Sequence, residues 1–237
     1  MAGTELKLIL VHGSGSTGDV WHYQSAYFPN SEAVNLPGHP VGKPCTSVPE
    51  YARWLHDYIA ERGYNKPVLA GHSLGGAIVQ TYALEYPGDV RALILVGSGA
   101  RLRVNPDFLK LVEAGSADPA KWLREFVEPD FALVPEELKR TIIKKMIEVG
   151  AAVQLNDFQC CDKFDILDRV PAIALPALIL CGSKDIMTPV KYSQYLAAKI
   201  AGSKLVIIEG GTHFAFMEQP DPVNRAIEQF LIEIAKG

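Results

Sequence analysis

Short apolar runs alternate along the chain with stretches in which apolar residues return every three or four positions. Leu6–His12 (LKLILVH) is rich in Leu, Ile and Val and ends in glycines, which predicts a buried strand. Glu32–Leu36 predicts a weaker second strand, stopped by Pro37 and Gly38. Pro67–Gly71, Val90–Val96, Ala177–Cys181 and Lys204–Glu209 supply four more. Ser47–Arg62 has the helical period: Tyr51, Trp54, Leu55, Tyr58 and Ile59 share a face, and Gly63 ends it. Leu74–Glu85, Val190–Ile200 and Asp221–Lys236 complete the alternation. Near-continuous apolar strands separated by helices predict an α/β fold. Its sheet is mostly parallel and doubly wound, has about six strands, and is covered on both faces.

The rhythm breaks between Arg101 and Arg169, where no strand pattern occurs. Phe108–Val112, Lys121–Val127, Glu136–Val149 and Ala151–Cys161 have helical spacing. In the third, Leu138, Ile142, Met146 and Val149 form one stripe. The expected organisation is an α/β core from residues 1–100 and 170–237, with residues 101–169 as a helical cap. The cap belongs over the C-terminal edge of the sheet, where open parallel sheets carry ligands.

Bulk properties narrow the function classes. The chain has 237 residues, 48% of them hydrophobic and 21% charged, with a net charge of −4 and no basic block. That disfavours nucleic acid and anionic membrane as partners. The N-terminal MAGTELKLILVHG has no signal-peptide character, and the longest apolar stretch is broken by Pro171 and Pro176. Cys45, Cys160, Cys161 and Cys181 show no C-x-x-C spacing, as expected of free thiols in a reducing cytoplasm rather than of a disulfide framework or metal site.

The chemistry centres on LAGHSLGGA, Leu69–Ala77. Ser73 stands between Gly71 and Gly75 where a predicted strand turns into a predicted helix. Chance produces such a G-x-S-x-G roughly once in ten chains of this length, so its surroundings have to carry the argument. A turn this sharp strains its central residue and admits only small neighbours. A serine nucleophile also needs a base. His56 lies on a helical face, His72 points away from Ser73, and His12 and His39 read as structural. His213 follows the last strand and reaches the same sheet edge as Ser73. Asp185, just past the fifth strand, is the candidate acid. The fourth strand ends in VGSGA, which has no carboxylate, and Asp157, Asp162, Asp165 and Asp168 read as solvated or capping residues. The glycine-rich turn VHGSGSTG can aim the Ser14 N–H at a developing oxyanion, with Leu74 N–H as second donor. Phe126, Phe131, Met146, Met187 and Phe214 are candidate liners of an apolar substrate pocket.

These motifs resemble the α/β-hydrolase fold family, in its esterase-like branch with a small helical cap. The matching segments are HGSGSTGDVW (His12–Trp21), NLPGHP (Asn35–Pro40), GHSLGG (Gly71–Gly76), GSKDIMTP (Gly182–Pro189) and THFAFMEQP (Thr212–Pro220). The resemblance implies Ser73 as nucleophile, Asp185 as acid, His213 as base, and Ser14 and Leu74 as oxyanion donors. It also implies eight strands, so with six in view the usual N-terminal hairpin is expected to be missing. The expected activity is cleavage of small-molecule carboxylic esters through an acyl-enzyme, with no cofactor or metal. Carbon–carbon bond hydrolase, thioesterase, lactonase, cofactor-independent oxygenase and slow-turnover ligand receptor remain open alternatives. Family members with dehalogenase or epoxide hydrolase activity carry an aspartate in place of Ser73. Those with hydroxynitrile lyase activity carry a lysine where Phe214 stands.

Overall fold

In a computed structural model, which describes residues 6–236, the chain folds around one six-stranded parallel sheet in the order β2-β1-β3-β4-β5-β6. The reading of the N-terminus as free of a leader falls partly on residues 1–5, outside the described residues. The strands are β1 (Leu8–Val11), β2 (Ser31–Val34), β3 (Val68–His72), β4 (Ala92–Val96), β5 (Ala177–Gly182) and β6 (Lys204–Ile208). All five pairings are parallel.

Side chains alternate across the strands, so each central strand feeds two cores. Ile9, Val11, Leu69, Leu93, Leu95 and Ile179 face one side. Leu8, Leu10, Val68, Ala70, Ile94, Leu178 and Leu180 face the other. That two-sided burial is why the central strands read as continuous apolar runs. The edge strands β2 and β6 are only partly buried, which explains their weaker patterns.

Helix α1 (His22–Tyr27) precedes β2, and α2 (Val48–Glu61) and α3 (Leu74–Glu85) pack on the first core. Ser47 caps α2, its Oγ accepting from Glu50 N–H at 3.3 Å. Residues 74–83 of α3 are all buried, so this helix has no polar face.

Five helices and no strand lie between β4 and β5: α4 (Pro106–Gly115), α5 (Pro119–Trp122), α6 (Glu128–Asp130), α7 (Glu136–Val149) and α8 (Ala151–Lys163). A π-helical turn, Leu123–Val127, joins α5 to α6. The α7 stripe of Leu138, Ile142, Met146 and Val149 is buried as its spacing requires. An isolated antiparallel bridge between Arg101 and Asp165 draws the two ends of this insertion together. Helix α9 (Val190–Lys199) connects β5 to β6, and α10 (Ala215–Glu218) and α11 (Pro220–Lys236) close the fold.

Candidate active site

The first piece of the site is the turn from β3 into α3. Ser73 has φ 54° and ψ −115°, a backbone state that costs a side-chain-bearing residue roughly 1–3 kcal/mol. Two bonds from the β4 side pin it: Ser73 N–H donates to Val96 O at 3.0 Å, and Ser98 Oγ donates to Ser73 O at 2.9 Å. The flanking glycines are sterically required. A Cβ on Gly71 would lie 2.2 Å from Gly75 O, and one on Gly75 would lie 2.3 Å from Val11 O.

Asp185 and His213 come from the loops after β5 and β6, and both are buried. His213 Nδ1 lies 2.8 Å from Asp185 Oδ2. The remaining capacity of this carboxylate is filled locally, with Oδ1 accepting from Met187 N–H at 2.9 Å and Thr188 N–H at 2.8 Å, and Oδ2 from Thr188 Oγ1 at 2.8 Å. Burial disfavours the charged form of Asp185, but the adjacent His213 and these donors outweigh it and hold the pKa below the usual carboxylate value. Burial also pushes His213 down. The charge and hydrogen bond of Asp185 reverse that, and Asp130 and Glu218 add to the reversal, so His213 ends above the usual imidazole value. Such a pair leaves Nε2 as the working nitrogen of a base.

Ser73 and His213 line the same narrow cavity. No hydrogen bond joins them among the described residues; His213 Nδ1 is engaged by Asp185 instead. Ser14 and Gly13 line that cavity too. The N–H groups of Ser14 and Leu74 donate to no backbone or side-chain acceptor among the described residues. Leu74 is the first residue of α3, so its free N–H is one that every helix start leaves.

The supporting groups were harder to see in the sequence. Asp157 of α8, read there as solvated or capping, is fully buried. Its Oδ2 accepts from Gly15 N–H and His39 Nε2, each at 2.8 Å, and its Oδ1 from Tyr51 Oη–H at 2.9 Å. The insertion thereby anchors the glycine-rich turn beside Ser14. His12 Nε2 accepts from Leu36 N–H at 3.0 Å, so its Nδ1 proton points to Gly13 O at 2.8 Å. Burial, with His39 nearby, holds His12 well below the imidazole value and keeps it neutral. His72 does point away from Ser73. Its Nε2 donates to His213 O at 3.0 Å, and the ring packs against Phe214 and Phe216. Glu218 holds the same loop by accepting from the N–H and hydroxyl of Thr212. Gly97, after β4, has φ 51°, and a Cβ there would sit 3.2 Å from His213 Nδ1 and 3.3 Å from Asp185 Oδ2.

Phe126, Phe131, Met146, Met187 and Phe214 all line the narrow cavity, whose volume is only about 30 Å³. A second cavity of about 550 Å³ also opens at Ser73. Of the five apolar residues only Met187 lines it. Its other walls come from the 102–108 segment, from Phe158 and Cys161 of α8, and from residues 186–192. Asp130 of α6 lines the narrow cavity with no hydrogen-bond partner among the described residues. Burial, opposed by His213, raises its carboxyl to about 7. Among the described residues no cluster of three or more His, Cys, Asp or Glu is placed to hold a metal ion, and no helix is long and apolar enough to cross a membrane.

Known proteins match this architecture over nearly its whole length. A thermophilic esterase structure is 31% identical, with TM-score 0.82, covering 98% of this chain and 92% of its own. An esterase from Exiguobacterium antarcticum, 19% identical, shares the fold at TM-score 0.86 over 97% and 93%. A pimeloyl-[acyl-carrier protein] methyl ester esterase of Neisseria meningitidis serogroup A is 27% identical over 91% of this chain and 73% of its own length. Residues 8–226 match the family model described as the alpha/beta hydrolase family, and the chain belongs to that family.

Proposed function

We propose that the chain is a carboxylic ester hydrolase that works through an acyl-enzyme on Ser73. The observation that carries this reading is the buried Asp185–His213 pair, 2.8 Å apart, with His213 lining the same narrow cavity as a serine in a strained strand-to-helix turn.

Ser73 Oγ attacks the ester carbonyl as His213 Nε2 takes its proton. The oxyanion lies between the N–H groups of Ser14 and Leu74, which have no competing acceptor. Asp185 stabilises the imidazolium, which then protonates the departing alcohol. A water activated by His213 releases the acid. The Neisseria relative is named for a methyl ester, and a cavity of about 30 Å³ on the His213 side suits a leaving group of that size. Residues 101–169 act as the cap that walls the site.

The test is a panel of methyl and p-nitrophenyl esters, thioesters, lactones and a vinylogous diketone, run with wild type and Ser73→Ala. Ester turnover should dominate and should fall roughly a million-fold in the variant. A Ser73→Ala enzyme that kept a tenth of the activity would overturn the assignment.

A further inference from the structure

Two cavities meet at Ser73 and differ in size and charge. The narrow one, about 30 Å³, has Asp130 and His213 as its charged or titratable lining. A further space of about 150 Å³ shares Asp130, Met187, His213 and Phe214 with it and adds Lys184 and Glu218. The wide one, about 550 Å³, has Arg103 and Lys191 as its charged lining, and no carboxylate. Its volume is within the range of small-molecule sites, ~300–1,000 Å³.

The chemistry assigns a substrate half to each. The departing alcohol takes its proton from His213, so it leaves on the side His213 lines. His213 lines the narrow cavity and the 150 Å³ space that shares its lining, but not the wide cavity. The alcohol is therefore small, and the acyl chain extends into the wide cavity, away from Asp130.

Two cations, Arg103 and Lys191, line that wide cavity. Arg103 and Lys191 are exposed, and neither forms an ion pair among the described residues, although Arg101, Lys110 and Arg169 nearby in sequence or space all do. Arg103 Nη1 donates to Asp162 O at 3.0 Å, which steadies the guanidinium and leaves its other N–H groups free. Lys191 sits in the first turn of α9, where the helix dipole disfavours a cation, and no side chain caps that terminus. In a chain of net charge −4, the wide cavity is thus lined by positive charge that has no ion-pair partner among the described residues.

We infer that the substrate's acyl chain ends in an anionic group, a carboxylate or a phosphate, held between Arg103 and Lys191 at the mouth of the wide cavity. The inference rests on the ester-hydrolase reading above. A guanidinium grips either anion through paired N–H groups, and the wide cavity that holds it has no carboxylate in its lining.

The experiment compares kcat/KM for methyl esters of one acyl length that end in methyl, carboxylate, phosphate or ammonium. Wild type should favour at least one anionic series over the methyl series by roughly ten-fold or more. Added salt should erode that preference, because both cations are exposed. The larger of the two anionic ratios identifies the end group. Arg103→Gln with Lys191→Gln should bring the ratio to about one, and Arg103→Glu with Lys191→Glu should turn the preference toward ammonium. A wild-type ratio at or below one for both anions overturns the inference while ester hydrolysis stands. An anionic preference untouched by the paired variants overturns the assignment to Arg103 and Lys191. Turnover of none of the esters overturns the ester reading and this inference with it.

Discussion

Asp157 offers the sharpest probe of how the helical insertion serves the anion site. Its carboxylate is fully buried and accepts from Gly15 N–H, His39 Nε2 and Tyr51 Oη–H. Asp157→Ala strands all three donors. Leaving a buried group unpaired costs about 1–3 kcal/mol, and here three buried donors lose their acceptor at once. That is a large share of a typical stability of roughly 5–15 kcal/mol, so the Ala variant borders on unfolding. Asp157→Asn is the informative change. Its amide oxygen can still accept from Gly15 and His39, and its NH₂ can face a rotated Tyr51 hydroxyl. The shape survives and the charge is lost, so the expected destabilisation is about 1–2 kcal/mol. The kinetic effect follows from position. Gly15 adjoins Ser14, and loss of a whole oxyanion donor costs roughly 10²–10³ in kcat. A loosened turn should lose part of that, roughly ten-fold, with KM nearly unchanged, because the oxyanion exists only in the transition state. Tyr51→Phe removes the bond farthest from the turn and should lower stability without lowering kcat. Urea unfolding and steady-state kinetics on a neutral ester read both effects. A raised KM with unchanged kcat in Asp157→Asn, or an equal kcat loss in Tyr51→Phe, would refute the reasoning.

Three further outcomes follow from the same geometry. Asp185→Asn should lower kcat by roughly 10⁴ through loss of the imidazolium's partner, whereas Asp168→Asn, remote from the cavities, should leave kinetics unchanged; equal losses would sink the acid assignment. His213 must be neutral to act as base and its pKa is raised, so kcat/KM should fall with decreasing pH through an apparent value above 6.5. Because the charge of Asp130 contributes to that rise, Asp130→Asn should move this acidic limb downward, and an upward move would contradict the placement. Gly97→Ala puts a Cβ into a left-handed position against the Asp185–His213 hydrogen bond; thermal melts should show a loss of about 1 kcal/mol or more, accompanied by reduced kcat.

How much was legible depended on how local the cause was. β1, β3, β4 and β5 are buried on both faces, so their apolar runs announce them. The α7 stripe did the same for a helix of the insertion. Ser73, Asp185 and His213 could be placed because each follows a strand that the pattern reveals. Asp157 could not, because its partners lie 106 to 142 residues away. One trace of it exists: Ala151, Gln154, Asp157, Cys160 and Cys161 share the buried face of α8, and a polar residue on such a stripe asks for buried partners. Gly97 leaves no trace of this kind, because its contribution is the lack of a side chain beside the Asp185–His213 hydrogen bond. Hydrophobicity singles out the five apolar liners, but it does not separate a nearly filled cavity from the open one beside it. The walls of the open cavity come largely from two connecting segments, 102–106 and 186–189, where no periodicity points inward.

The central claim is that Ser73 carries the acyl group. Intact-protein mass spectrometry after rapid quenching with a p-nitrophenyl ester should show one added acyl group, released over time, with the adduct on the peptide containing Ser73 and none on the Ser73→Ala protein. Steady hydrolysis with no adduct, or an adduct of equal yield on Ser73→Ala, would contradict the account.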